Sequence, residues 1–276
     1  MSASVERLQV RRPFDWEGLL SFFATRAIPG VEAIEEGLLQ RSFRQGAQVG
    51  HLEVRYDGEL VVRTWGGVPK GELARRVLDV DAPEDEIQKR FSADPVIGPL
   101  LERWPGIRLP GAWDGFEMGV RAILGQQVSV KAAHTLAGRL VAKFGRQTTS
   151  PFPRVDRVFP LAQELAGVEV EELASIGLTR KRAETLHHFA LWSALPEGER
   201  GRLIELPGIG PWTESYLRMR GSADRDAFPA GDLGVQKALG ISGLGPVKAA
   251  REAEAKSQAW RPLRAYAVFL LWRSLS

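Results

Sequence analysis

Between Leu206 and Thr213 the chain reads Leu-Pro-Gly-Ile-Gly-Pro-Trp-Thr, and no helix or strand can run through it. Each proline removes a backbone donor, and the glycines reach angles and close approaches that a Cβ blocks. Pro211 suits the first turn of a helix, where its missing N–H has no partner to lose. The run is therefore a tight turn, with a helix-like segment from Arg200 to Leu206 before it and a helix from Pro211 to Arg220 after it. Backbone amides at such a helix start attract an anion, and phosphate is the one expected. The candidates to hold it are Gly208, Ile209, Gly210, Trp212 and Thr213. A plain Gly/Pro connection between packed helices carries the same letters. The turn argues for a nucleic acid, and it is silent about catalysis.

About twenty residues further on, Asp232 follows Phe228-Pro229-Ala230-Gly231 and opens a helix from Leu233 to Leu239. Taken alone, an Asp there is a helix N-cap. A fixed carboxylate can also stabilise positive charge developing on a reacting sugar and position water. Turn and carboxylate together suggest an enzyme acting on a base in DNA.

Composition limits the chemistry. The chain has 276 residues, enough for two or three domains with their own cores. It has no cysteine, which excludes disulfides, thiolate zinc sites, a cysteine-held iron–sulfur cluster and a cysteine nucleophile. His187-His188 has no partners at metal-ligand spacing, so no catalytic metal is expected there. No Gly-rich nucleotide fingerprint is present. A net charge of +3 is a weak argument for nucleic acid. The first ten residues lack the apolar run of a secretory signal, and Ala265 to Trp272 is too short to span a bilayer. The expectation is a cytoplasmic protein with no membrane partner.

Periodicity divides the chain near residue 90. Trp16 to Leu39 carries apolar residues at helical spacing, broken by Pro29-Gly30 into two pieces. In Leu52 to Tyr56 the pattern alternates, Asp57-Gly58 signals a two-residue hairpin, and Leu60 to Trp65 is the partner strand. Lys70 to Leu78 is a short helix. From Ala82 onward the chain reads as helices separated by Gly/Pro turns, including Asp114 to Leu124 with Asp114 as N-cap, Val128 to Phe144, Thr179 to Leu191, Pro246 to Lys256 and Pro262 to Leu275. Thr179 to Arg182 begins its helix with three cations. A solvated face explains them, and DNA-backbone contact is the alternative.

The Leu206–Thr213 turn resembles the helix-hairpin-helix element of DNA-binding proteins. Five segments carry the resemblance further: RPFDWEGLLSFFATRA (12–27), LPGAWDGFEMGVRAILGQQVSVKAA (109–133), LTRKRAETL (178–186), ELPGIGPWTESYLRMRG (205–221) and WRPLRAYAVFLLW (260–272). In this order, and over nearly the whole chain, they resemble the 3-methyladenine DNA glycosylase II (AlkA-like) family of the helix-hairpin-helix DNA glycosylase superfamily. The resemblance implies a mostly α protein with an N-terminal α+β domain built on an antiparallel sheet. The expected division is 1–92 for that domain and 117–224 for a helical domain with the hairpin. A second helical domain, from 93–116 plus 225–276, carries the catalytic Asp, and the active cleft lies between the two helical domains.

The same resemblance assigns roles. Asp232 is the catalytic carboxylate. Trp212, Trp272, Tyr216 and Phe22 form the base pocket, where electron-rich rings would face a positively charged alkylated purine. Hydrophobic core is the other use of each ring. Gln126 and Gln127 form the loop that enters the minor groove and fills the gap left by a flipped base. Family members have an apolar wedge where this chain has Gln127, and a cap or turn role fits Gln126 as well. Leu233 replaces an aromatic of the family. The carbonyls of Ile204, Leu206 and Ile209 would bind a structural Na+ or K+, with no cofactor in catalysis. Relatives that also cut the backbone carry a Lys where Trp212 stands, and its amine attacks the sugar. Trp212 therefore implies a monofunctional hydrolase of N-glycosyl bonds, without lyase activity, working as a monomer on double-stranded DNA containing alkylated bases. Two alternatives stay open: a glycosylase preferring deaminated purines or uracil, and a DNA-binding relative without chemistry.

Overall fold

The computed structural model describes Ala3–Leu275. Strand β1 (Ser4–Leu8) and helix α1 (Trp16–Ala24) lead into β2 (Glu32–Glu35), β3 (Leu38–Gln45), β4 (Gln48–Tyr56) and β5 (Leu60–Trp65). Helices α2 (Gly71–Val77), α3 (Glu84–Phe91), α4 (Gly98–Arg103), α5 (Gly115–Leu124) and α6 (Val130–Phe144) follow. After the short strands β6 (Arg146–Gln147) and β7 (Arg157–Val158) come α7 (Ala162–Ala166), α8 (Val170–Ala174) and α9 (Arg180–Ala194). The remaining helices are α10 (Pro211–Gly221), α11 (Leu233–Ala238), α12 (Pro246–Ser257) and α13 (Arg264–Arg273). The fold is mostly α with an N-terminal antiparallel sheet of order β1-β5-β4-β3-β2. Among the described residues no helix is long and apolar enough to cross a membrane.

The chain divides into two compact units. The first takes residues up to Gln9, Trp16–Arg75 and Trp113–Ile209, and so contains the sheet and α5 to α9. Its core joins Ile28 and Val31 to Val120, Leu140, Leu186 and Phe189, all buried. Three buried charges, Glu32, Arg41 and Glu117, are set against it beside the half-buried Arg121. Arg41 bridges Glu32 at 2.8 Å and Glu117 at 2.7 Å, and Arg121 also pairs with both carboxylates. Burial alone would raise the Glu117 carboxyl. The Arg41 and Arg121 guanidinium charges outweigh it and hold the group down at about 2.

Three local expectations are corrected. The piece after Pro29-Gly30 is the β2–β3 hairpin, not a helix. Glu36 and Gly37 take φ of 50° and 79°, the paired positive angles of a type I′ turn, and Glu35 pairs with Leu38 across it. Val31, Glu32 and Ala33 are all buried while Glu35 to Gly37 are exposed at the turn, so the apparent helical spacing was a coincidence of a short run. The Asp57-Gly58 turn has three residues, since Tyr56 pairs with Leu60 and Asp57 N–H donates to the Glu59 carbonyl. Arg200 to Leu206 forms only a 3₁₀ turn at Leu203–Glu205. Pro207 pushes the preceding residue away from helical angles, and Leu206 is extended with ψ of 134°.

The second unit takes Val10–Asp15, Arg76–Ala112 and the chain from Gly210 onward. α13 is its central helix, with Arg264 to Leu271 all buried, which suits an element covered on every side. Tyr266 O–H donates to Asp79 at 2.8 Å and Trp260 N–H to Asp94 at 2.8 Å. The buried Arg108 ties in the Val10–Asp15 segment by donating to the carbonyls of Arg11 at 2.7 Å and Pro13 at 2.8 Å.

Candidate active site

Asp232 is the N-cap of α11, and its Oδ1 accepts the Val235 N–H at 2.9 Å. The loop before it is pinned, with Asp232 N–H on the Pro229 carbonyl at 2.8 Å and Gln236 Nε2 on the Ala230 carbonyl at 3.0 Å. Two indoles then close on the carboxylate. Trp212, in the first turn of α10, donates Nε1–H to Oδ2 at 2.9 Å. Trp272, in the last turn of α13, donates Nε1–H to Oδ1 at 2.8 Å. All three residues are half-buried.

Rings extend from this point. Trp212 stacks on Tyr216 with centroids 5.2 Å apart and planes 21° apart, as their spacing of one helical turn dictates. Tyr216 lies 6.2 Å from Trp272, which also meets Phe269 in a T-shaped contact with centroids 5.0 Å apart. The second unit thus brings Asp232, Trp212, Tyr216 and Trp272 together. Phe22 stands in the first unit on α1, half-buried, with the Arg26 guanidinium 3.9 Å over its ring.

The sequence reading missed two supports of this cluster. Arg220, only 3% exposed, donates to the Tyr216 hydroxyl at 3.1 Å, to the Gly111 carbonyl at 3.3 Å and to the Pro110 carbonyl. Gly234 is the other. A Cβ there would lie 3.0 Å from Cδ1 of Trp272 and 3.1 Å from Oδ1 of Asp232. The i, i+4 spacing of Tyr216 and Arg220 was a signal that could have found the first; nothing in the sequence marked the second.

The hairpin residues fall on both sides of the division between units. In the first unit Gly208 takes φ of +85°, and a Cβ there would fall 1.9 Å from the Thr185 hydroxyl oxygen. Gln126 Nε2 donates to the Gly208 carbonyl at 3.0 Å, while the Gln126 carbonyl accepts from Arg182 at 2.6 Å. The Ile209 N–H is directed at the Leu206 carbonyl, 3.0 Å away, and the Ile209 side chain is buried. Gln127 is exposed at φ of 56° in the turn between α5 and α6. In the second unit Gly210 is the N-cap of α10, with Pro211 at N1, and a Cβ on Gly210 would meet open space. Thr213 is 2% exposed. The cation run at the start of α9 is partly spent on ion pairs, Arg180 reaching Glu171 and Glu184. Among the described residues no cluster of His, Asp and Glu could hold a metal ion.

In chemical terms the second unit presents one carboxylate in a fixed plane, hemmed by aromatic surface. Such a group stabilises an adjacent positive charge without reorganising.

Comparison with known proteins gives two family matches that follow one another along the chain. Residues 5–114 match the AlkA N-terminal domain and residues 120–262 match the HhH-GPD superfamily of base excision DNA repair proteins. A probable bifunctional transcriptional activator/DNA repair enzyme AlkA of Mycobacterium tuberculosis is 36% identical over 98% of this chain, and this chain spans 56% of that relative's length. DNA-3-methyladenine glycosylase 2 of Escherichia coli is 33% identical, covering 94% of each chain. Among solved structures, the 3-methyladenine DNA-glycosylase from Archaeoglobus fulgidus shares the fold, with a TM-score of 0.80 at 23% identity over 98% of this chain and 97% of that one. Sheet, hairpin, carboxylate and these matches agree: the chain belongs to the HhH-GPD superfamily of base excision DNA repair proteins, with an AlkA N-terminal domain ahead of its HhH-GPD region.

Proposed function

We propose that the protein is a monofunctional DNA glycosylase that removes alkylated bases such as 3-methyladenine and 7-methylguanine from double-stranded DNA, leaving an abasic site. It would act as a cytoplasmic monomer. The observation that carries the reading is the carboxylate of Asp232 clasped by the indoles of Trp212 and Trp272. The names of its relatives support the same substrate class.

The glycosidic bond is unreachable inside a duplex, so the nucleotide must be flipped out. Gly208, Gly210, Trp212 and Thr213 are proposed to hold backbone phosphate, the expected Ile209 N–H being directed at the Leu206 carbonyl instead, with the exposed Gln127 filling the vacated stack. Gln126 would contribute indirectly by bracing the Gly208 carbonyl. A sugar losing its base gains oxocarbenium character, and Asp232 stabilises that charge while water attacks. Alkylation puts a positive charge on the purine, which then leaves without a dedicated acid. Trp212, Tyr216 and Trp272 would supply stacking and cation–π attraction of about 0.5–2 kcal/mol per contact. The Ile204, Leu206 and Ile209 carbonyls offer hard, neutral oxygens suited to Na+ or K+, and Leu206 keeps one lone pair beyond the Ile209 N–H it accepts. When bound, that ion would add positive charge beside the phosphate.

The test is release of free base from methylated duplex DNA. Asp232→Asn should lower single-turnover release at least about a hundredfold with duplex affinity held within about twofold. A wild-type protein that binds duplex and frees no base would overturn the proposal.

A further inference from the structure

Resting on the glycosylase reading, we infer that Trp212 and Trp272 are positioning residues for the Asp232 carboxylate, acting through their indole N–H groups, and that Gly234 is the vacancy that lets Trp272 reach it. The assignment starts from the donor count. An ionised carboxylate can accept about four hydrogen bonds. Among the described residues three donors reach Asp232: Val235 N–H and Trp272 Nε1–H on Oδ1, and Trp212 Nε1–H on Oδ2. The single acceptor direction left belongs to Oδ2.

The geometry of the clasp matters as much as the count. The terminal torsion of an Asp side chain is broad and roughly two-fold, so a lone N-cap bond leaves the second oxygen free to swing. Here the second oxygen is tied to an indole from α10, while the first is tied to an indole from α13 and to the backbone of α11. Donors from three helices define the carboxylate plane. A charge held this way is organised before the reaction begins. It is also poorly placed to act as a nucleophile, because forming an ester with the sugar would need an oxygen to leave its donors. The clasp therefore favours charge stabilisation with water as the attacking group.

Trp272 reaches the carboxylate because position 234 has no side chain. A Cβ there would stand 3.2 Å from the Trp272 Nε1 and 3.0 Å from its Cδ1, tight enough to force the ring aside by a few tenths of an ångström. The ring faces do separate work. Trp212 has Tyr216 stacked upon it, so its contribution to Asp232 comes through its edge.

The experiment separates edge from face. Benzothienylalanine, placed at 212 or 272, keeps the two fused rings and replaces N–H by sulfur. We expect single-turnover release from methylated duplex DNA to fall about tenfold at each site. Affinity for an abasic-analogue duplex should stay within about twofold. Gly234→Ala, which removes no ring and no charge, should lower the rate with the same unchanged affinity. In 15N-indole spectra, Asp232→Ala should move the Trp212 and Trp272 resonances and leave the other indoles in place. Sulfur analogues that turn over like wild type, or indole resonances indifferent to Asp232→Ala, overturn the assignment while the glycosylase reading stands. A wild-type protein that releases no base removes that reading and the assignment with it.

Discussion

The proposed reaction subtype rests on one side chain, Trp212. An amine at this place could attack the sugar and form a Schiff base; an indole cannot. Its N–H is occupied with Asp232 and its face with Tyr216. Borohydride added during turnover on methylated duplex should therefore trap no protein–DNA adduct, and a band of covalent complex on a denaturing gel would contradict the water mechanism. Asp232 itself was legible as a helix cap, and it does cap α11. What the letters could not show is that the capping oxygen is shared with an indole forty residues away in the chain. The buried Arg220 was equally hidden, because its partners Pro110 and Gly111 are over a hundred residues distant.

At the scale of elements, the hairpin turn depends on Gly208 for two separate reasons. Its φ of +85° disfavours any Cβ, and the space a Cβ needs holds the Thr185 hydroxyl. Gly208→Ala should destabilise the protein by about 2 kcal/mol in urea unfolding. Adding Thr185→Ala should recover part of that loss, because it removes the contacts at 1.9 and 2.8 Å and leaves the Thr185 Cβ at 2.9 Å together with the torsional strain. Full recovery would mean that the torsion contributes nothing. The run Gly243-Leu244-Gly245-Pro246 repeats the pattern of Gly208-Ile209-Gly210-Pro211, yet its positive φ falls on Gly245, the second glycine, at 79°. Identical punctuation therefore permits different turns, and packing chooses between them. The β2–β3 hairpin teaches the same lesson. Val31, Ile34 and Leu38 fit a helical period, and only the Glu36-Gly37 pair between them marked a strand turn.

Across the whole molecule, an antiparallel sheet followed by a helical body was readable from periodicity, while the last strand of that sheet ends at Trp65, well before the expected change near residue 90. The assignment of Val10–Asp15 to the second unit was not readable, since it rests on long-range bonds from Arg108. The enclosed charges of the first unit were also invisible, because nothing local distinguishes Glu117 from a surface carboxylate. They set an acid limit. Glu117 titrates at about 2 in the folded state against 4.5 for an ordinary glutamate, so the folded pKa is depressed. Its stabilisation is full above about pH 4.5 and is lost as pH falls toward 2. Glu117→Gln should destabilise by about 3–5 kcal/mol at neutral pH, since it strips buried guanidinium groups of a partner. It should also flatten the loss of stability between about pH 4.5 and 2 in urea titrations. An unchanged acid slope would reassign that slope to other carboxylates.

The interleaving of the two units imposes an order on biosynthesis. Every segment of the first unit has been synthesised once Ile209 has been added. The Val10–Asp15 strap is made before the rest of its unit, and Asp15 meets its counterion, Arg273, only when α13 emerges. A nascent chain arrested far enough past Ile209 to bring that residue out of the exit tunnel, and short of α13, should accordingly resist protease across the sheet and its helices while remaining cleavable at Val10–Asp15 and Arg76–Ala112. The carboxylate-bearing half is a late arrival, completed only when α13 reaches it.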